Sequence, residues 1–301
     1  METPAHRASH VTRNDLLGYI RDFVDSLTET KVETRNTYER ALREFVRWFD
    51  QDGRFLFAVD DVYRYRQYLV HSKGLAPASV VSYLNSVRQL CGYLHRQGII
   101  SYNPAQHIRG HALRLKNKPA CLQKEEVTRL LDSVPRTDRR GPRDRTILGL
   151  MVQFGVTEVE LIGANVGDFV FVDGMGALKL RGGDEMGRVV LDRTTATLIH
   201  DYLAARGKMS REQPLFLSDG NRTRGMRMTT RGIRERVNYY LEKAGVRSTG
   251  SGITPQVLKH TAAMLMADAG SSADEIRYRL RFGTLARAMK YINRASMKDE
   301  N

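Results

Sequence analysis

The chain has 301 residues, a formal net charge of +14 and 41% hydrophobic residues, a size and composition that suit about two globular domains with buried cores. No apolar run approaches the roughly 20 residues of a membrane-spanning helix, and the N-terminal METPAHRASHVTRND carries no apolar stretch of the kind that marks a secretory signal. Only two cysteines occur, Cys91 and Cys121, with no metal-ligating cluster beside either, so the expectation is a cytoplasmic protein without metal or cofactor.

Residues 1–12 are polar and read as a tail without regular structure. From Asn14 to about His107 the apolar spacing is helical. LLGYIRDFVDSL places Leu16, Ile20, Phe23, Val24 and Leu27 on one face, and TYERALREFVRWFD does the same with Tyr38, Leu42, Phe45, Val46 and Phe49. VDDVYRYRQYLV and ASVVSYLNSVRQLCGYLHRQG extend the series, with Pro77 near the start of the last helix and Gly98 near its end. A bundle of about four helices over 13–107 follows, with Cys91 as a small core residue.

Asn103-Pro104 closes the bundle, and the basic HIRGHALRLKNKPA gives an interdomain linker over 108–119. The second domain, 120–301, begins with LQKEEVTRLLDSV, a helix whose first-turn glutamates suit the helix dipole. RDRTILGLMVQFG is a more buried helix. DFVFVDG, GALKLRG and GRVVLD are short β-rich runs separated by glycines, which predicts a small antiparallel sheet. The rest is helical. Thr254-Pro255 is placed to start a helix as its cap and first residue.

The charge is spread along the chain and thickens in DGNRTRGMRMTTRGIRER and RYRLRF, so a polyanion is the expected partner, nucleic acid before others. Arg222, Arg224, Arg227 and Arg231 are candidates to fix register on phosphates. Arg88 is a candidate groove contact in the first domain.

Several segments, in order, resemble the tyrosine recombinases, the phage-integrase and Xer/Cre-like family. TRNTYERALREFVRWF and LAPASVVSYLNSVRQLCGYLHRQGIISYNPA resemble core-binding helices. FGVTEVELIGANVGDFV has the frame of Thr-Gly-Leu-Arg-x-x-Glu-Leu, with Glu160, Leu161 and Asp168 kept. PQVLKHTAAMLMADAG has the frame of His-x-Leu-Arg-His, and EIRYRLRFGTLARAMKYINR that of the Leu-Gly-His…Tyr segment. The resemblance covers about residues 14–297. It implies a mainly α fold: a SAM-like helical core-binding domain, then a mostly helical α+β catalytic-type domain, arranged as a C-shaped clamp on double-stranded DNA. It also implies that Lys116 and Lys118, in the linker, touch the DNA backbone.

The family reaction joins a tyrosine hydroxyl to a backbone phosphate. Two arginines clamp the phosphate oxygens, a hairpin lysine protonates the leaving oxygen, and histidines assist proton transfer. Carried over by position, Tyr291 is the candidate nucleophile, with His260 as an accessory group. Thr157 stands at the first arginine position, Gln256 at the first histidine, Lys259 at the second arginine and Phe282 at the later histidine. The hairpin lysine aligns near Gly183, in a segment without lysine. Lys179, Arg181, Arg188 and Arg281 are the cations placed to substitute. Loss of three such donors slows cleavage by roughly 10⁵ or more. The expectation is therefore a DNA-binding recombinase homologue of a mobile element with lost or strongly reduced cleavage, acting by self-association or with an active recombinase. The alternatives are an active divergent recombinase using Tyr291, and an architectural or transcriptional DNA binder. Only ten residues follow Tyr291, short for a C-terminal helix exchanged between copies.

Overall fold

The computed structural model of the protein describes residues 11–28, 32–52, 56–108, 120–135, 140–181, 187–247 and 253–299. The chain divides into two compact units, Met1–Lys116 and Asn117–Asn301.

The first unit contains α1 (Arg13–Asp25), α2 (Val32–Asp52), α3 (Val59–Gln67), which runs into one wide π-type turn at Tyr68–Ser72, and α4 (Pro77–Arg96). Helix α1 starts on a reciprocal cap: the Asp15 amide donates to the Thr12 hydroxyl at 3.2 Å and the Thr12 amide to the Asp15 carboxylate at 2.9 Å. Val11 is buried beside it, so residues 11 and 12, which composition alone assigns to the tail, take part in the start of this helix. Leu16 and Phe23 of α1, Leu42, Phe45 and Phe49 of α2, and Leu84, Leu90 and Leu94 of α4 share one core. The helical spacing anticipated these faces. Cys91 is wholly buried among them, as expected of a small core residue. Trp48 stacks on Phe45, with ring centroids 5.6 Å apart, and Tyr65 packs edge-on to Phe45 at 4.9 Å. Pro77 opens α4, and Gly98, at φ 71°, follows its end.

The second unit contains α5 (Lys124–Asp132), α6 (Gly141–Phe154), α7 (Glu158–Gly163), β1 (Phe169–Val172), β2 (Met175–Leu180), β3 (Gly187–Leu191), α8 (Arg193–Arg206), α9 (Thr230–Lys243), α10 (Gln256–Asp268), α11 (Ala273–Arg279) and α12 (Leu285–Asp299). The sheet is antiparallel in the order β1-β2-β3, with Phe169 opposite Leu178 and Lys179 opposite Arg188. Leu178, Leu180, Val189 and Leu191 bury one face in a core shared with Ile147, Leu150 and Met151 of α6 and Ile199 of α8. The expected strands thus form, for the expected reason: alternating apolar residues between glycine turns.

A buried ionic knot joins α6 to α9. Asp144 accepts from Arg143 at 2.8 Å, from Arg236 at 2.9 Å and from the Tyr240 hydroxyl at 3.1 Å. Arg236, half-buried, is thus paired with a buried carboxylate. A second, smaller core forms where α10, α11 and α12 meet, from Ala263, Met264, Ile276, Leu280, Ala288 and Tyr291. Among the described residues no helix is long and apolar enough to cross a membrane, and no group of three metal-ligating side chains gathers.

Candidate active site and nucleic-acid interface

Tyr291 lies on α12 with its ring turned into the small core, 6% exposed. Its hydroxyl is 2.5 Å from Nδ1 of His260 on α10. The Phe282 ring lies nearly parallel to it, 4° between planes and 5.9 Å between centroids. Above Phe282 stands Nζ of Lys259, 5.3 Å from the ring centre, where the ammonium meets the negative face of the ring. Residues from α10, the turn after α11 and α12, at positions 259, 260, 282 and 291, thus form one cluster.

Burial, with the nearby Cys121, pushes the Tyr291 phenol up to about 12, against the smaller opposing field of Arg294. Tyr291 is a neutral phenol at physiological pH, and donates to His260 when Nδ1 carries no proton. Burial and the charges of Lys259 and Arg294 push the His260 imidazole below its usual value. A neutral imidazole accepting at Nδ1 carries its proton on Nε2, and in that form His260 can take the phenol proton. Sequence reasoning gave His260 an accessory place; only the folded geometry puts it on the hydroxyl. Cys121 stood in the sequence only as a cysteine without a metal-ligating cluster, and Arg294 was not singled out, although it follows Tyr291 by three residues, one turn along the same helix face. Arg294 donates to Cys121 Sγ at 3.4 Å, and Cys121 Sγ donates to the His260 carbonyl at 3.5 Å.

The first arginine position is put to another use. Thr157 caps α7: its hydroxyl accepts the Glu160 amide at 3.3 Å and donates to the Glu160 carboxylate at 2.9 Å, while its own amide donates to that carboxylate at 2.7 Å. Arg281 reaches the same carboxylate from the turn between α11 and α12. Its Nε donates to Glu160 Oε1 at 2.5 Å, and its Nη2 faces Oε2 at 3.3 Å and the carbonyls of Phe154 and Gly155 at 3.3 and 3.1 Å. The remaining nitrogen, Nη1, donates to the Arg279 carbonyl at 2.7 Å. Burial pushes the Glu160 carboxyl up, but Arg281, the Thr157 amide and Lys259 outweigh it and hold the group below its usual range. Gln256 is the exposed first residue of α10. That helix starts without a side-chain cap: Val257 donates to the Thr254 carbonyl and Leu258 to that of Pro255, so Thr254 does not serve as the expected N-cap.

The candidate DNA contacts divide into two groups. Lys179 and Arg188 are exposed and directly opposite each other across β2 and β3; like charges so placed repel. Arg222 and Arg224 are exposed in the loop before α9. Arg231 is exposed and pairs with Glu235 at 2.8 Å, a contact of small energy. The others have partners within the fold, Arg227 and Arg181 from exposed positions and Arg88 from a half-buried one. Arg227 donates to the Ile162 and Ala164 carbonyls at 2.6 and 3.1 Å and to Asn165 at 2.6 Å. Arg181 pairs with Asp168 at 2.7 Å. Arg88 donates to the carbonyls of Ala105 and Ile108 at 3.1 and 2.7 Å, and Asn103 to that of Arg88 at 3.1 Å. Arg88 thus ties α4 to the Asn-Pro-Ala turn. Lys116, Lys118 and the hairpin tip around Gly183 lie outside the described residues.

The helical first unit, the three-stranded hairpin sheet and the tyrosine on a late helix beside α10 define a protein of the tyrosine recombinase type. Residues 120–297 match the model of the phage integrase family, and the chain belongs to that family of tyrosine recombinases. Among curated relatives, the tyrosine recombinase XerC of Pelobacter propionicus is 28% identical over 264 residues, 86% of this chain and 84% of that protein. XerC of Serratia marcescens is 27% identical over 263 residues, with the same coverage of both chains. Among solved structures, the XerH site-specific recombinase bound to palindromic difH substrate superposes with a TM-score of 0.73 at 19% identity, over 96% of this chain and 83% of that one. The Tn1549 transposon integrase in complex with transposon right end DNA gives a TM-score of 0.74 at 14% identity, over 94% and 98%. These structural likenesses establish the fold.

Proposed function

We propose that this protein binds double-stranded DNA site-specifically as a tyrosine recombinase homologue whose own strand cleavage is lost or strongly reduced, and that it acts in recombination or integration of a mobile element, by self-association or beside an active recombinase. The observation that carries the reading is the fate of the arginines. Thr157 spends its hydroxyl on a helix cap, and the guanidinium of Arg281 faces a carboxylate and three carbonyls. A fork so engaged is not presented to the oxygens of a transferring phosphate, where bidentate donors act. Lys259 brings charge near Tyr291 without that fork. The outward cations Lys179, Arg188, Arg222 and Arg224 suit phosphates, and a phosphate over Lys179 and Arg188 relieves their mutual repulsion.

A second reading, a divergent but active recombinase, is favoured by the hydrogen bond between Tyr291 and His260, which places a proton acceptor on the candidate nucleophile. A duplex bearing the cognate site with a nick near the scissile phosphate separates the two, because the product released at the nick traps any covalent complex. The first reading expects salt-sensitive specific binding with no protein–DNA adduct, or a trace of one. An adduct formed in good yield and abolished by Tyr291→Phe establishes the second.

A further inference from the structure

We infer that Arg281 is a positioning residue for Tyr291: tied to Glu160, it anchors the turn between α11 and α12 and thereby fixes Phe282 and the tyrosine beside Lys259 and His260. The inference rests on the reading of Tyr291 as the family nucleophile position, and it applies whether or not the protein cuts DNA.

Three observations carry it. Arg281 has φ 55°, a left-handed conformation that glycine enters without steric cost and arginine does not. Its side chain must hold the turn there. The contacts that do so come from far along the chain: both oxygens of Glu160, which is 2% exposed, and the carbonyls of Phe154 and Gly155 at the end of α6. The surroundings also make room for this turn. A Cβ at Gly187 would stand 2.6 Å from Arg281 Cδ, and a Cβ at Gly155 would stand 2.8 Å from Leu280 Cδ2. Two glycines on separate elements thus clear the path of the residues that make the anchor.

Glu160 explains why the anchor is an arginine. Its carboxylate is buried and already accepts the Thr157 amide and hydroxyl, neither of which brings charge. A buried carboxylate needs a cation. With threonine at 157, the cation that touches it comes from Arg281. The counter-ion of Glu160 is thereby built into the turn that leads to the tyrosine helix. Phe282, the next residue, packs parallel to the Tyr291 ring, so the anchor holds the backbone one residue from the ring beside the nucleophile position.

Nitration of Tyr291 by tetranitromethane, followed on its tryptic peptide in the full chain without DNA, tests the inference alongside the thermal midpoint. The peptide carrying Tyr65, in the other unit, is the internal reference. Arg281→Gly keeps the left-handed turn and removes the anchor; Tyr291 should be nitrated about tenfold faster or more, with Tyr65 unchanged. Thr157→Arg combined with Arg281→Gly returns a guanidinium to Glu160 from the α7 side. That variant should recover the thermal midpoint while Tyr291 stays as reactive as in Arg281→Gly, which separates anchoring from charge balance. Arg281→Lys keeps the charge without the fork and should give an intermediate rate; it decides the matter if the glycine variant does not fold. Unchanged Tyr291 nitration in Arg281→Gly, or in Arg281→Lys where only that folds, overturns the inference. So does a double variant that restores protection along with stability. Because the readout uses no DNA, a missing adduct on the nicked duplex bears on the cleavage reading and leaves this one standing.

Discussion

The hydroxyl of Tyr291 should behave as a structural group with a characteristic pH signature. Tyr291→Phe keeps the ring against Phe282 and removes only the donor to His260. An imidazole nitrogen left without its partner in a largely buried setting costs about 1–2 kcal/mol. At neutral pH the variant should therefore be less stable than the parent by that amount, which lowers the midpoint of a unit this size by roughly 2–8 °C. The alkaline limb is the sharper test. In the folded chain the phenol is pushed up to about 12 from its ordinary 10. A folded value above the unfolded one means stability that is complete below the unfolded value and is lost as pH rises towards the folded one. The whole difference is worth roughly 2.7 kcal/mol; about 0.8 kcal/mol of it is gone by pH 10.5 and about 1.4 kcal/mol by pH 11. The parent's advantage over Tyr291→Phe should therefore shrink from pH 8.5 upwards and vanish near about pH 11. Urea denaturation of both proteins in parallel measures this, and the contributions of the tyrosines they share cancel in the difference. A difference that stays constant from about pH 8.5 to 10.5 refutes the reasoning, because it means that the phenol ionises alike in the folded and unfolded chain.

Two further outcomes follow from where the arginines stand. Arg88→Ala should destabilise the helical first unit by about 1–3 kcal/mol in urea, since it strips the donors from the Ala105 and Ile108 carbonyls; a loss of DNA affinity with unchanged stability would return it to the groove. Arg222→Ala and Arg224→Ala should each lower the slope of log binding constant against log salt by about 1 and weaken binding to all sequences alike; the same loss on cognate sites alone, with the slope unchanged, contradicts phosphate contact.

The site was partly legible in the sequence. The frame around positions 157, 160, 256, 259, 260, 282 and 291 marked where the candidate site lies, and all but Gln256 enter the contacts described there. Their present roles were not legible. Arg281 appeared as a cation free to replace a missing clamp, and it is instead engaged by a carboxylate 121 positions away. Arg227 and Arg181, expected at DNA, are exposed and also bond Ile162, Ala164, Asn165 and Asp168, partners that the sequence did not announce. Charge in a sequence counts cations; it does not say which already have partners in the fold.

By itself, the sequence determined the faces of α1, α2 and α4, the three strands, and the glycine that follows α4. Each depends on neighbours within a few residues: apolar spacing of 3.6 or 2, and a residue tolerant of positive φ. Tertiary structure alone decided that the Tyr291 hydroxyl meets His260, that Phe282 packs parallel to the ring, and that Glu160 takes its counter-ion from Arg281. Those contacts join segments far apart in the chain, and their geometry comes from how α6, α7, β3 and α10–α12 pack. A side chain with several possible partners of similar local energy is committed only when packing buries one of them, because only there does an unpaired charge become costly.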